Sequence, residues 1–348
     1  MSRHPKDKDF VETKEGLLFT VVGYLHPPDA YTVYLKYRPD SEGRWERNGI
    51  RYRRMMQVYS AAEVQNSANW LREHYPDYVA LDRVRGFELP LVPWKNLIAY
   101  YLPEVRLAEI IRNPQDPLES KTSSLVTLLS EESGVPENRF GITGSLLLDL
   151  HNPMFSDIDL LVYGRENAHQ LRNAMDDLFG ENKVKPYSPE EIQGWQQRQV
   201  NTLGIPSKYS ESIAWSFWQR GRFDQTVFSI SPVRTDAEIM NQYGREMYSA
   251  IETVEVTATI IESRDNLFVP ARYLVGDITI EEGDVELPAL TEVTSFEGIF
   301  SSVFNEGDRV RIRGTAEAVR DADGNLLRNQ VVVGTLATQG WIIRIPTT

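Results

Sequence analysis

The chain has 348 residues, more than one hydrophobic core normally serves, so two or three domains are expected. A hydrophobic share of 41% with 25% charged residues excludes wholesale disorder, and the absence of cysteine excludes disulfides, thiolate metal sites and a cysteine nucleophile. The formal charge of −13 excludes a molecule that is basic all over, so any contact with nucleic acid must be local.

The N-terminus runs directly into polar sequence, and no window approaches 18 consecutive apolar residues. A cytoplasmic protein without a membrane partner is the expectation. Aromatic and β-branched runs at 17–24, 31–37 and 51–59, broken by Pro-, Gly- and Asp-rich segments, predict a small antiparallel sheet. Ser60 and Glu63 have capping-box spacing and open a helix that Pro76 closes. Residues 93–133 carry helical spacing, divided by Pro103 and by the prolines at 114 and 117.

The next stretch reads β-α-β-α: strand 140–143, short helix 145–150, strand 158–163, amphipathic helix 166–179. Helical spacing returns at 188–200 and 209–219, and 223–230 alternates as a strand. Beyond residue 244 the spacing predicts short strands at 254–261, 296–300, 309–319, 331–336 and 341–345. Asp321-Ala322-Asp323-Gly324-Asn325 marks a hairpin among them, and a small barrel or sandwich is expected.

The chemistry concentrates in Phe140-Gly141-Ile142-Thr143-Gly144-Ser145 and, after a loop, Asp157-Ile158-Asp159-Leu160-Leu161-Val162. A Gly-Ser pair between strand and helix lets backbone approach a triphosphate, and Ser145 adds a hydroxyl donor. Asp157 and Asp159 stand two apart on a strand, so both carboxylates share one face while Ile158 points the other way. Their Cα atoms would lie roughly 6–7 Å apart, suited to a pair of divalent cations and to phosphoryl transfer.

Ile142-Thr143-Gly144-Ser145 followed by Ser156-Asp157-Ile158-Asp159-Leu160 resembles the signature of the DNA polymerase beta-like nucleotidyltransferase superfamily over roughly residues 120–235. Within it the arrangement is most similar to a mainly archaeal group of largely uncharacterised predicted nucleotidyltransferases with extra N- and C-terminal regions. The resemblance implies an NTP substrate, Mg2+ or Mn2+ held by Asp157 and Asp159, and a third carboxylate on a later strand, for which Asp224 is the candidate. Lys208, Arg220 and Arg222 are the candidate phosphate contacts near it.

Trp215, Phe217 and Trp218 are read as core aromatics before base-stacking ones, His151 and His169 as incidental, and Arg51, Arg53 and Arg54 as a solvated sheet face before a phosphate-backbone contact. The expected fold class is α+β. It comprises an N-terminal antiparallel sheet with helices (1–115), a nucleotidyltransferase-type mixed sheet with helices (116–235) and a β-rich, barrel-like part (245–348). Three readings remain open for the reaction: nucleotidyl transfer to a hydroxyl such as an RNA 3′ end, transfer to a protein or small molecule, and nucleotide or nucleic-acid binding without turnover.

Overall fold

The computed structural model describes residues 3, 5–56, 61–206, 209, 216–283, 288–335 and 340–345. In chain order come β1 (Phe10–Thr13), β2 (Leu18–Val21), β3 (Ala30–Pro39), β4 (Trp45–Arg47), β5 (Ile50–Arg54), α1 (Ala61–His74), β6 (Val79–Asp82), β7 (Phe87–Pro93) and β8 (Leu97–Tyr101). Then follow α2 (Pro103–Arg112), α3 (Pro117–Ser133), β9 (Phe140–Ile142), α4 (Gly144–Leu147), β10 (Ile158–Tyr163), α5 (Arg165–Gly180), α6 (Pro189–Leu203), β11 (Arg220–Phe223) and β12 (Thr226–Val233). The chain finishes with β13 (Glu246–Glu262), β14 (Ala271–Glu282), β15 (Leu290–Ser295), β16 (Arg309–Asp321), β17 (Leu326–Val333) and β18 (Trp341–Arg344).

The chain divides into two compact units, one of residues 1–57, 90–188 and 217–240, the other of 58–89, 189–216 and 241–348. The boundary expected near residue 115 therefore falls inside the first unit, which holds both the N-terminal sheet and the β-α-β-α segment.

In the first unit the N-terminal sheet has the order β4-β5-β3-β2-β1-β8, with β7 joining β3 through Leu91, Val92 and Pro93. Residues 97–101, expected to be helical, are instead strand β8 paired with β1. Tyr100 and Tyr101 donate to the carboxylates of Asp9 and Glu12 on the β1 side, a tertiary demand that local spacing does not reveal. Helix α3 begins as its sequence dictates. The Asp116 side chain accepts from the amides of Leu118 and Glu119, Pro117 occupies the first turn, and Gly134 closes the helix at φ +73°.

The second sheet of this unit has the order β11-β12-β10-β9, with β10 parallel to β12 and antiparallel to β9. Ile158, Leu160 and Val162 of β10, Ile142 of β9, and Phe228 and Ile230 of β12 are buried, as are Leu125, Val126 and Leu129 of α3 and Ala168, Leu171, Met175 and Leu178 of α5. The strand expected over 223–230 is two strands joined at Asp224-Gln225. These two residues adopt φ of +44° and +66°, the left-handed pair that a two-residue hairpin turn requires.

In the second unit β13 pairs with both β14 and β16, so the order β13-β14-β15-β17-β16 returns on itself, and β18 adds to β16. Val200 and Leu203 of α6, with Ile205, lie in the same core as Val256, Tyr273, Val293, Ile312 and Trp341. The hairpin at 321–325 forms, its turn tied by the Asp321 carboxylate to the amides of Asp323 and Asn325. Residues 296–300, expected as a strand, follow strand β15 and include a single 3-10 turn, while β14 carried no clear signal because its outer half is exposed and polar. Ser60 of the expected capping box, and most of the expected helix at 209–219, lie outside the described residues.

Candidate active site

The loop from β9 brings Thr143 and Gly144 against the start of β10. The Thr143 amide donates to the Asp159 carbonyl at 2.8 Å, and its hydroxyl donates to the Lys8 carbonyl at 2.9 Å. Gly144 has φ +66°, and a Cβ there would stand 2.6 Å from Asp159 Oδ2, so only glycine lets the backbone run beside this carboxylate. Helix α4 is one turn of four residues, shorter than the helix expected over 145–150. What it offers near Ser145, which is half-buried, is a few backbone N–H groups and a hydroxyl, with little macrodipole behind them.

Strand register settles which side chains share a face. Asp159 pairs with Ser229 and Ile158 with Phe228 in the parallel ladder, while Arg220 pairs with Ser229 and Arg222 with Val227 in the antiparallel one. Paired residues project to the same side, so Asp159, Ser229, Arg220 and Arg222 stand on one face and Phe228 and Ile158 fill the buried face. Asp157 stands immediately before β10, two positions ahead of Asp159. The Ser229 hydroxyl donates to Asp159 Oδ1 at 2.6 Å. This leaves Oδ2 on the side of Gly144.

Asp157 is reachable by solvent. Its carboxyl is nevertheless held above the ordinary range, by desolvation first and by the neighbouring Asp159 charge second, with Arg54 and Arg222 opposing. Asp157 and Asp159 together offer all-oxygen donors of the kind hard divalent cations such as Mg2+ or Mn2+ prefer.

Asp224 occupies the β11–β12 turn, five positions ahead of Ser229, and so roughly 10 Å or more along the strand from the level of Asp159. Its carbonyl accepts from Lys121 Nζ at 3.0 Å. The strand position beside Asp159 belongs to Ser229, a hydroxyl where the sequence led us to expect a carboxylate. Arg220 is exposed and Arg222 half-buried. Lys208 and Trp215 lie outside the described residues; Trp218 is buried, in keeping with a core aromatic, and Phe217 is half-buried.

His151 is a correction. It is half-buried, and its Nε2 meets Asp116 Oδ2 at 2.6 Å, so it pins the loop between the two motif halves to the start of α3. Asp116, Glu119 and His151 bring their ligand atoms together closely enough to suggest a metal site. Those atoms are already engaged: Asp116 caps α3 and binds His151, while Glu119 accepts from the Arg106 guanidinium and the Gln115 amide. The Arg106 guanidinium already supplies positive charge to Glu119.

The N-terminal sheet adds residues that sequence reasoning missed. Phe10, Leu18, Tyr37 and Tyr52 pack with Leu147, Leu148 and Leu150 of the motif segment. Lys36, on β3, is only 2% exposed, and its charge and that of Asp159 act on one another. A lone lysine within the fully buried run 30–37 was the available signal.

Residues 123–208 match the family model described as a nucleotidyltransferase domain, a window that contains Gly144, Ser145, Asp157 and Asp159. Over 334 residues, covering 94% of this chain and 95% of the relative, the chain is 29% identical to a protein of Methanocaldococcus jannaschii described as uncharacterized. No solved structure matches. Among the described residues no helix is long and apolar enough to cross a membrane. The domain match points to NTP-using transfer as the general class of chemistry.

Proposed function

We propose that the protein is a divalent-cation-dependent nucleotidyltransferase that moves a nucleoside monophosphate from an NTP to a hydroxyl acceptor. The observation that carries this reading is a glycine whose missing side chain opens the space beside Asp159 Oδ2, next to a second carboxylate, Asp157, on which the Asp159 charge acts. In the reaction the acceptor oxygen bonds to the α-phosphorus, the bond from that phosphorus to the bridging oxygen breaks, pyrophosphate leaves and the hydroxyl proton passes to solvent. A bound Mg2+ or Mn2+ supplies charge neutralisation and activation of the acceptor.

The chain's own residues have distinct parts. Asp157 and Asp159 hold the cation, and Ser229 fixes the Asp159 carboxylate in one orientation. Gly144 and Ser145 admit and hydrogen-bond the triphosphate, and Arg222 and Arg220 meet its charge from the neighbouring hairpin on the same sheet face. Asp224, in the hairpin turn, is left out of the cation site in this reading.

The first acceptor class to test is an RNA 3′ end. The closed five-strand order of the second unit supports it, since small barrels of that kind serve as oligonucleotide platforms. Purified protein is incubated with α-labelled NTPs and Mg2+ alongside RNA and protein fractions. Metal-dependent label in RNA supports the proposal, and label in protein moves the acceptor to a polypeptide. No turnover with any NTP, together with unchanged behaviour of Asp157→Ala and Asp159→Ala, would overturn it.

A further inference from the structure

The loop between the two motif halves holds two apolar side chains in the open, directly ahead of the carboxylates: Met154 is 90% exposed and Phe155 41%. Hydrogen bonds keep the loop in that shape. Asn152 Oδ1 accepts from the Met154 amide at 2.9 Å, the Asn152 carbonyl accepts from the amides of Phe155 and Ser156, and the Asn152 amide donates to the Ser156 hydroxyl at 2.9 Å. His151, bound to Asp116, fastens the base of the loop. Phe155 precedes Asp157 by two residues, which limits their Cα separation to roughly 7 Å.

The N-terminal sheet brings cations to this ring. The exposed Arg44 guanidinium lies over Phe155, 3.9 Å from its centre. The turn ahead of Arg44 sets its place: Gly43 runs so close to β5 that a Cβ would stand 2.2 Å from the Tyr52 carbonyl oxygen, and its amide donates to the Asp40 carbonyl at 2.8 Å. One strand away, Arg51 and Arg53 of β5 are exposed. Tyr52 between them points the other way, into the cluster with Leu147, Leu148 and Leu150. Arg53 pairs with Arg38 of β3, and the Asp40 carboxylate holds both guanidinia, at 2.6 Å and 2.8 Å. Glu46, paired with Arg51, is the other acid on this face.

Residues 36–54 hold seven Lys and Arg against three Asp and Glu, in a chain whose net charge is −13. This local excess of positive charge attracts a polyanion, and the exposed ring beside it selects which one. An acidic peptide would meet the arginines and leave Phe155 unused. A duplex keeps its bases stacked on one another and offers none to the ring. A single strand offers both partners at once, phosphates for the arginines and an unpaired base for Phe155.

We propose that Phe155, Met154 and Arg44 seat the terminal base of a single-stranded RNA while Arg53 and Arg51 bind the phosphates behind it, bringing its 3′ hydroxyl to the carboxylates that follow Phe155. The inference rests on the nucleotidyltransferase reading and supplies its acceptor surface. It also gives the β4–β5 hairpin of the N-terminal sheet a part in the reaction.

The test measures binding of a short fluorescent oligouridylate to the full chain by anisotropy over a range of salt. Single-stranded DNA of the same length, duplex RNA and an acidic peptide are the comparisons, and a non-hydrolysable NTP analogue with Mg2+ is titrated in parallel by calorimetry. Phe155→Ala and Arg44→Gln are each expected to weaken the RNA roughly tenfold. The double variant Arg51→Gln with Arg53→Gln is expected to weaken it as well, and to flatten the dependence of log affinity on log salt by roughly 0.7 per arginine removed. Affinity for the NTP analogue and the melting temperature should stay with the unaltered protein in all of these, and Lys14→Gln, at an exposed site of the same unit, should change nothing. Unchanged RNA affinity in Phe155→Ala and in the double variant, or tighter binding of DNA, duplex or peptide than of the RNA, overturns the surface; the functional reading stands so long as the NTP analogue binds. If the unaltered chain binds RNA but no NTP analogue, the functional reading falls and the acceptor role with it. Should Phe155→Ala fail to fold, the double variant at its two exposed sites decides the question alone.

Discussion

Gly144 and Asp159 meet across the β9–β10 edge so closely that a single added carbon on the glycine would lie 2.6 Å from a carboxylate oxygen. The backbone there also holds φ +66°, a conformation that costs any other residue about 1 kcal/mol or more. Gly144→Ala is therefore expected to lose roughly 1–2 kcal/mol of stability and, by displacing the Asp159 carboxylate, ~100-fold or more in kcat/KM. Thermal melts alongside NTP turnover check both. An alanine variant with full activity would mean that the carboxylate is not placed by this contact.

Ser229 separates orientation from charge. Its hydroxyl donates to Asp159 Oδ1 at 2.6 Å from the adjacent parallel strand. Ser229→Ala keeps both carboxylates but frees Asp159 to rotate, so the Mg2+ concentration for half-maximal turnover is expected to rise ~10–100-fold with little change in fold stability. Asp159→Asn should abolish the metal dependence altogether. Equal metal requirements in Ser229→Ala and the parent would show that the hydroxyl merely fills space.

The β11–β12 turn yields a prediction opposed to the sequence expectation. Asp224 and Gln225 both carry positive φ, and neither is glycine. Gln225→Gly is expected to stabilise the first unit by about 0.5–1 kcal/mol without altering turnover, and Asp224→Asn to leave kcat within about twofold. A large loss of metal-dependent activity in Asp224→Asn would return that carboxylate to the cation site.

What the sequence made legible follows from how local each signal is. Asp321 to Asn325 supplies the chemistry of its own turn, so that hairpin could be read without a partner. Ser229 could not, because its meaning depends on a parallel register with a strand 70 residues earlier. Asp224-Gln225 lacks the glycine that usually announces a two-residue turn, so one continuous alternation concealed a hairpin. Residues 97–101 looked helical because the strand that pairs with them, β1, is only four residues long and lies near the other end of the sheet sequence. Arg54 stood out as a basic residue but was grouped with Arg51 and Arg53. The fold separates them, leaving Arg51 and Arg53 exposed and Arg54 half-buried against Met56.

In the second unit Glu317 is a buried acid with a testable pH signature. It faces Gln330 across β16 and β17 and accepts from its Nε2 at 2.9 Å. Burial pushes its carboxyl above the ordinary glutamate range, with the Gln330 hydrogen bond and the Arg85 charge opposing. Because the folded-state value lies above the unfolded one, the contribution to stability is complete at pH below the ordinary glutamate range and is lost as pH rises through the folded value. Glu317→Gln keeps an acceptor for Gln330 and removes the titration. Its melting temperature should match the parent near pH 4 and exceed it at pH 7–8 by roughly 2–4 °C, the shift that ~1 kcal/mol gives a domain of this size. A gap that is constant across this range, or larger in acid, would mean that Glu317 is ionised throughout and that its pairing outweighs its desolvation.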